Sequence, residues 1–186
     1  MSNPKEVEIK VSLSEDDAEK VENQVFDQNF SHYTESDTYF TAPVRDYMET
    51  NECLRIRERD GEPIELTYKG ATTEEMDEEG QFWKEEVDIP IEDVEDAKSL
   101  LNALGCEELV TVVKERKHAE IDDKEITLDY VEPVGHFLEI ESTAYNQEGV
   151  EEAVEDNKSF LTNLGLDEVD VVDQPYRDIV MDAQQN

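Results

Sequence analysis

Charged and apolar residues alternate with period two in Glu6-Val7-Glu8-Ile9-Lys10. On a β-strand this puts Glu6, Glu8 and Lys10 on one face and Val7, Ile9 and Val11 on the other. Seven further runs read as strands: residues 37–41, 53–57, 64–69, 82–89, 110–119, 124–131 and 136–142. Asp60-Gly61 is a hairpin turn between the third and the fourth, and Pro90 is expected to end the fifth. Three stretches switch to helical spacing. The first spans residues 14–29, with Ser14 as N-cap and Ala18, Val21, Val25 and Phe26 inward. The second spans 92–104 and is closed by Gly105. The third spans 147–164 and is closed by Gly165. Residues 70–81 are polar and acidic and read as a flexible loop. The tail from Leu166 carries Tyr176, Ile179 and Val180 as docking residues, and 183–186 read as disordered. The expected order is β, α, four strands, α, three strands, α, an α+β arrangement forming one domain over residues 1–182.

Composition changes this picture in one respect. Among 186 residues there are 51 Asp+Glu against 16 Lys+Arg, a formal net charge of -35. A broad basic surface for nucleic acid is therefore excluded. Intrinsic disorder is the obvious rival for so acidic a chain, but apolar periodicity runs through most of the length. Acids spread along the whole sequence are what a halophile-type surface requires, because at molar salt the Debye length is ~3 Å and self-repulsion is screened. Cys53 and Cys106 match no metal spacing. No signal peptide and no run of ~20 apolar residues is present, so a cytoplasmic protein that makes no use of a membrane is expected.

The candidate chemistry lies in where the scarce cations fall. Seven of them, Lys10, Arg55, Arg57, Lys69, Lys84, Lys114 and Arg116, sit on the charged faces of strands. The acids Glu6, Glu8, Glu86, Asp88, Asp129, Glu139 and Glu141 share those faces by parity. A single E-x-E says nothing in a chain this acidic, and one K-x-R is usually a solvated face. Glu–Lys alternation can also be plain cross-strand pairing, worth ~0.2–1 kcal/mol per pair. The joint pattern over many strands reads instead as the polar interior of a closed barrel with helices outside, suited to a highly anionic ligand and hard cations.

The ordered set of motifs Glu6-Val7-Glu8-Ile9-Lys10, Asp37-Thr38-Tyr39-Phe40, Leu54-Arg55-Ile56-Arg57-Glu58, Leu66-Thr67-Tyr68-Lys69-Gly70, Val113-Lys114-Glu115-Arg116, Leu128-Asp129-Tyr130-Val131 and Gly135-His136-Phe137-Leu138-Glu139-Ile140-Glu141 resembles the CYTH superfamily, the triphosphate tunnel metalloenzymes. The likeness spans residues 4–180 and is greatest for the class IV adenylate cyclase branch. It implies an eight-stranded antiparallel β-barrel with a charged tunnel, commonly a homodimer, acting on a small triphosphate with Mg²⁺ or Mn²⁺. It implies metal ligation by Glu6, Glu8, Glu139, Glu141 and Asp129, and phosphate binding by Lys10, Arg55, Arg57, Lys69, Lys84, Lys114 and Arg116. Lys84 departs from the arginine common in this branch, and a lysine grips phosphate as a point charge rather than bidentately. Glu86 and Asp88 are expected to orient the basic residues, and Tyr39 to contact Lys114 and tune catalysis. Three functions follow as alternatives: conversion of ATP to cyclic AMP and pyrophosphate, hydrolysis of an inorganic or organic triphosphate such as thiamine triphosphate, or binding without turnover.

Overall fold

The computed structural model describes residues 5–26, 29–70 and 86–185. Eight strands form: β1 (Lys5–Leu13), β2 (Ser31–Thr41), β3 (Cys53–Arg59), β4 (Ile64–Lys69), β5 (Glu86–Ile91), β6 (Glu107–Ile121), β7 (Lys124–Val131) and β8 (Gly135–Ala144). The helices are α1 (Glu15–Val25), α2 (Val94–Ala103), α3 (Gln147–Asn163) and α4 (Tyr176–Gln184). The strands join in one sheet in the order β1-β8-β7-β6-β2-β3-β4-β5, an eight-stranded antiparallel α+β architecture as the motifs implied.

The chain divides into two compact units, Met1–Tyr33 with Lys114–Ile179, and Thr34–Val113 with Val180–Asn186. In the first, the apolar residues of β1, β7 and β8 alternate inward exactly where period two puts them. Val11, Ile126, Leu128, Leu138 and Ile140 bury against Ala18, Val21 and Val25 of α1 and against Leu161 and Leu164. Ser14 caps α1 by accepting from the Asp17 backbone N–H at 3.2 Å. Asn157 of α3 is buried on the sheet. It accepts from the Ser142 hydroxyl at 2.7 Å and donates to the Val7 carbonyl at 3.0 Å. In the second unit, Phe40 and Ile56 pack with Ala97 and Leu101 of α2. Gly61, at φ +81°, makes the β3–β4 turn.

Several element ends differ from the sequence reading, and four differences are the largest or bear on the site. β2 begins at Ser31 rather than at residue 37, because polar residues 31–36 pair without showing a strand-like composition. β5 runs through Pro90 to Ile91, where Pro90 was expected to end it. It is the terminal strand of the sheet order, where a missing N–H on one edge breaks no ladder. α1 stops at Val25, with Phe26 as C-cap, rather than at residue 29. α4 was not foreseen at all, and it extends to Gln184, inside the stretch read as a disordered tail. The expected loop beyond Gly70, the start of the fifth strand, and Lys84 lie outside the described residues.

Candidate functional site

β1, β8, β7 and β6 lie side by side in the first unit, and their registers turn isolated acids into rows. Glu8 is directly opposite Glu141, Glu141 opposite Glu125, and Glu125 opposite Glu120. Like charges directly opposed are destabilising, and the protonation equilibria record it. Burial, and then the charges of Glu6, Glu125, Glu8 and Glu139, push the Glu141 carboxyl up to about 7. Burial and Glu139 also raise Glu8, against the pull of Lys10. Two residues further along β1, Lys10 pairs with Glu139 at 3.3 Å and with Glu8 at 3.6 Å.

The next row holds the arginine. Arg116 donates from Nε to Asp129 Oδ1 at 2.7 Å, and its Nη2 reaches Glu139 Oε2 at 2.8 Å. Asp129 is fully buried and accepts a further bond from the Tyr176 hydroxyl at 2.9 Å. Lys114 is buried on the same strand face as Arg116, with its Nζ 5.3 Å from the Tyr176 ring centroid.

The second unit builds its own cationic face. Arg57 sits bidentate on the fully buried Asp37, at 2.7 and 2.8 Å, and also reaches Glu35 at 2.9 Å. Arg59 holds the other side of Glu35. These carboxylates fix the guanidinium planes, so the arginines are pre-oriented. Arg55 is less satisfied. Its Nη1 is 3.8 Å from Asp37, and its buried Nε has no hydrogen-bond partner among the described residues. Lys69 pairs with Glu86 at 3.0 Å, while Asp88 accepts from Thr67 at 2.6 Å rather than from a basic residue.

Such rows of hard oxygen donors beside oriented cations narrow the family sharply, and residues 4–176 match the CYTH domain. The chain belongs to the CYTH domain family. A Methanocaldococcus jannaschii protein named as a candidate adenylate cyclase is 31% identical over 177 residues, covering 94% of this chain and 97% of that one. A solved Pyrococcus horikoshii OT3 structure superposes with a TM-score of 0.75 at 32% identity, over 96% of this chain and 99% of the other. A Hippeastrum protein, described as a candidate adenylyl cyclase with a dominant triphosphatase activity, shares the fold at a TM-score of 0.64. It is 16% identical, with 96% and 95% of the two chains covered. CYTH proteins are enzymes on triphosphate substrates and generally depend on a divalent metal.

The donor chemistry of this CYTH chain fits such a metal. Glu6, Glu8, Glu139 and Glu141 are all carboxylates, the ligands that Mg²⁺ and Mn²⁺ prefer. Burial and neighbouring carboxylates raise both Glu8 and Glu141, and a divalent cation would supply the counter-charge that Lys10 gives Glu8 only in part. As they stand, no three His, Cys, Asp or Glu side chains among the described residues converge on one point. The structure gathers Lys10, Lys114, Arg116, Glu8, Glu139 and Glu141 on one face of one unit, and Arg55, Arg57 and Lys69 on strands of the other. Tyr39, expected near Lys114, belongs to the second unit, opposite Arg55 in register. Its phenol is raised by burial and then by Asp37, against the pull of Arg55.

Sequence reasoning assigned no role to Glu35, Arg59 or Glu125, and gave Tyr176 only a docking role in the tail. Glu125 has the parity of Thr127 and Asp129 and was open to discovery by extending that face two residues back. Glu35 precedes the recognised Asp37-Thr38-Tyr39-Phe40 run by the same spacing. Tyr176 offered no periodic signal.

Proposed function

We propose that this CYTH chain is a divalent-metal-dependent enzyme of the class IV adenylate cyclase type, converting ATP to cyclic AMP and pyrophosphate. The observation that carries the reading is the pairing, on one sheet face, of a crowded carboxylate row with oriented cations. Glu6, Glu8, Glu139 and Glu141 would hold the metal. Asp129, committed to Arg116 and Tyr176, orients Arg116 instead of serving as a ligand. Lys10, Lys114 and Arg116 of the first unit, and Arg55, Arg57 and Lys69 of the second, are the candidates for phosphate binding, as is Lys84, which lies outside the described residues. The under-satisfied Arg55 guanidinium is the one whose free donor an anionic oxygen would complete. Bound at the carboxylates, Mg²⁺ or Mn²⁺ would neutralise phosphate charge and acidify the attacking hydroxyl.

Phosphoryl chemistry needs positioning and charge neutralisation more than a covalent catalyst. In the reaction, the ribose 3′-oxygen bonds to the α-phosphorus. The bond from that phosphorus to its bridging oxygen breaks, pyrophosphate leaves with the electron pair, and the hydroxyl proton passes to solvent. The 31% identity to the Methanocaldococcus protein named as a candidate adenylate cyclase supports this assignment. Tyr39 and Lys114 are the candidates for groups that tune the step.

A triphosphatase is the second reading. Every residue assigned above addresses phosphate or metal, so water attacking the terminal phosphorus would use them alike, and the fold carries that activity in the Hippeastrum protein. Assays in molar KCl with Mg²⁺ or Mn²⁺ decide between them. ATP and inorganic triphosphate are offered separately, with Glu6→Gln/Glu8→Gln as control. Cyclic AMP with equal pyrophosphate, lost in the control, is the expected outcome. Orthophosphate without cyclic AMP makes the protein a triphosphatase. Binding without turnover of either substrate leaves a sensor that holds the ligand without reaction.

A further inference from the structure

The tail beyond α3 is attached to the site by main-chain bonds before any side chain is considered. Ser12 N donates to the Asp170 carbonyl at 3.0 Å, and Val172 N donates to the Lys10 carbonyl at 2.8 Å. This lays the segment along β1 and covers that strand's outer edge. Four residues further on, Tyr176 opens α4 and buries its ring edge-on to Phe137, at 5.1 Å between centroids. The ring then meets two of the lysines assigned to phosphate. Lys10 Nζ lies 4.6 Å and Lys114 Nζ 5.3 Å from its centroid. The hydroxyl donates to Asp129, the carboxylate that clamps Arg116. One side chain thus touches cations from β1 and β6 and the anchor of a third.

Lys10 shows why this matters. It pairs with Glu8 and Glu139, so a phosphate must draw it from carboxylates that a metal also needs. The negative face of an aromatic ring offers the ammonium a counter-attraction on the other side, and the Gln174 carbonyl adds a contact at 3.5 Å. A lysine already ordered also loses less rotamer freedom when a phosphate arrives.

We propose that Tyr176 is a positioning residue, its ring ordering Lys10 and Lys114 in place for the substrate's phosphates. This rests on the function proposed above. The ring carries the effect and the hydroxyl contributes little, because Asp129 keeps its bidentate arginine without it.

The test uses the full chain with Tyr176→Leu, Tyr176→Phe and Val180→Ala. Val180 is a buried residue of α4 with an apolar side chain that enters none of the hydrogen bonds or ring contacts above, and it serves as the control for loss of tail docking. Tyr176→Leu is expected to raise KM for the triphosphate substrate about tenfold with kcat within about threefold, the mark of lost uniform binding. Tyr176→Phe is expected to keep the wild-type KM, and Val180→Ala to lower Tm without moving KM. An activity-independent readout accompanies this. The rates at which Lys10 and Lys114 react with an amine-directed ester, resolved by mass spectrometry, should rise in Tyr176→Leu and not in Tyr176→Phe. Unchanged labelling in Tyr176→Leu, or equal changes in Val180→Ala, overturns the proposal. If the wild type neither binds nor turns over triphosphate, the proposed function fails, and the labelling rates still decide whether the ring holds the lysines.

Discussion

Glu141 is the residue whose chemistry is most exposed to experiment. Its carboxyl titrates near 7 in the folded chain, pushed there by burial and by Glu6, Glu125, Glu8 and Glu139, against about 4.3 in an unfolded one. A raised folded value means the native state holds a proton that the unfolded state has released. Stability therefore falls as pH rises from the unfolded value to about 7 and is flat above it. In metal-free protein, Tm is expected to decline between pH 5 and pH 8. Glu141→Gln should flatten that decline, and added Mg²⁺ should shrink it by supplying the missing counter-charge. Thermal denaturation across pH with and without chelator checks this. A wild-type slope that Glu141→Gln does not alter would place the repulsion elsewhere.

At the scale of elements, α3 and α1 attach to the same sheet by different means. α1 relies on an apolar stripe and a serine cap. α3 adds a buried polar anchor, Asn157, whose amide bonds the Val7 carbonyl on β1 and the Ser142 hydroxyl on β8. Removing one partner of such a buried set leaves the others unsatisfied, which costs about 1–3 kcal/mol. Asn157→Ala should lose that much in denaturant unfolding, and it should reach the site indirectly, since Val7 and Ser142 flank Glu6, Glu8 and Glu141. Ser14→Ala removes only an exposed cap and should cost about 1 kcal/mol. If Asn157→Ala proved no more damaging than Ser14→Ala, the anchor would be incidental to holding the helix.

For the molecule as a whole the dominant quantity is its charge of -35. Self-repulsion of that size opposes compaction unless salt screens it, and at about 1 M KCl the Debye length of ~3 Å leaves only contact pairs interacting. The native circular dichroism signal is expected to be full in molar KCl and to decay in dilute buffer. Full signal at low salt would show that the packed core alone suffices. The ion pairs described above are placed differently from that surface charge. Asp37, Glu35 and Asp129 are fully buried beneath their arginines, and screening should weaken them far less.

Much of this was written in the sequence. Period two alone assigned the faces of β1, β7 and β8, because alternate side chains of a strand must point to opposite sides. Turn and cap residues such as Asp60-Gly61, Ser14 and Gly105 marked element ends, because few other residues satisfy those backbone conformations. The candidate cations and carboxylates were legible from parity, and their family from motif order. Register was not. That Glu8, Glu141, Glu125 and Glu120 stand in one row follows from which residues pair between strands far apart in sequence, and no single strand records it. Nor could the sequence show that Asp129 is committed to Arg116. The role of Tyr176 was the furthest from view: its segment has no periodicity, and its meaning comes from the β1 edge, Lys10 and Asp129, which only the tertiary structure brings to it.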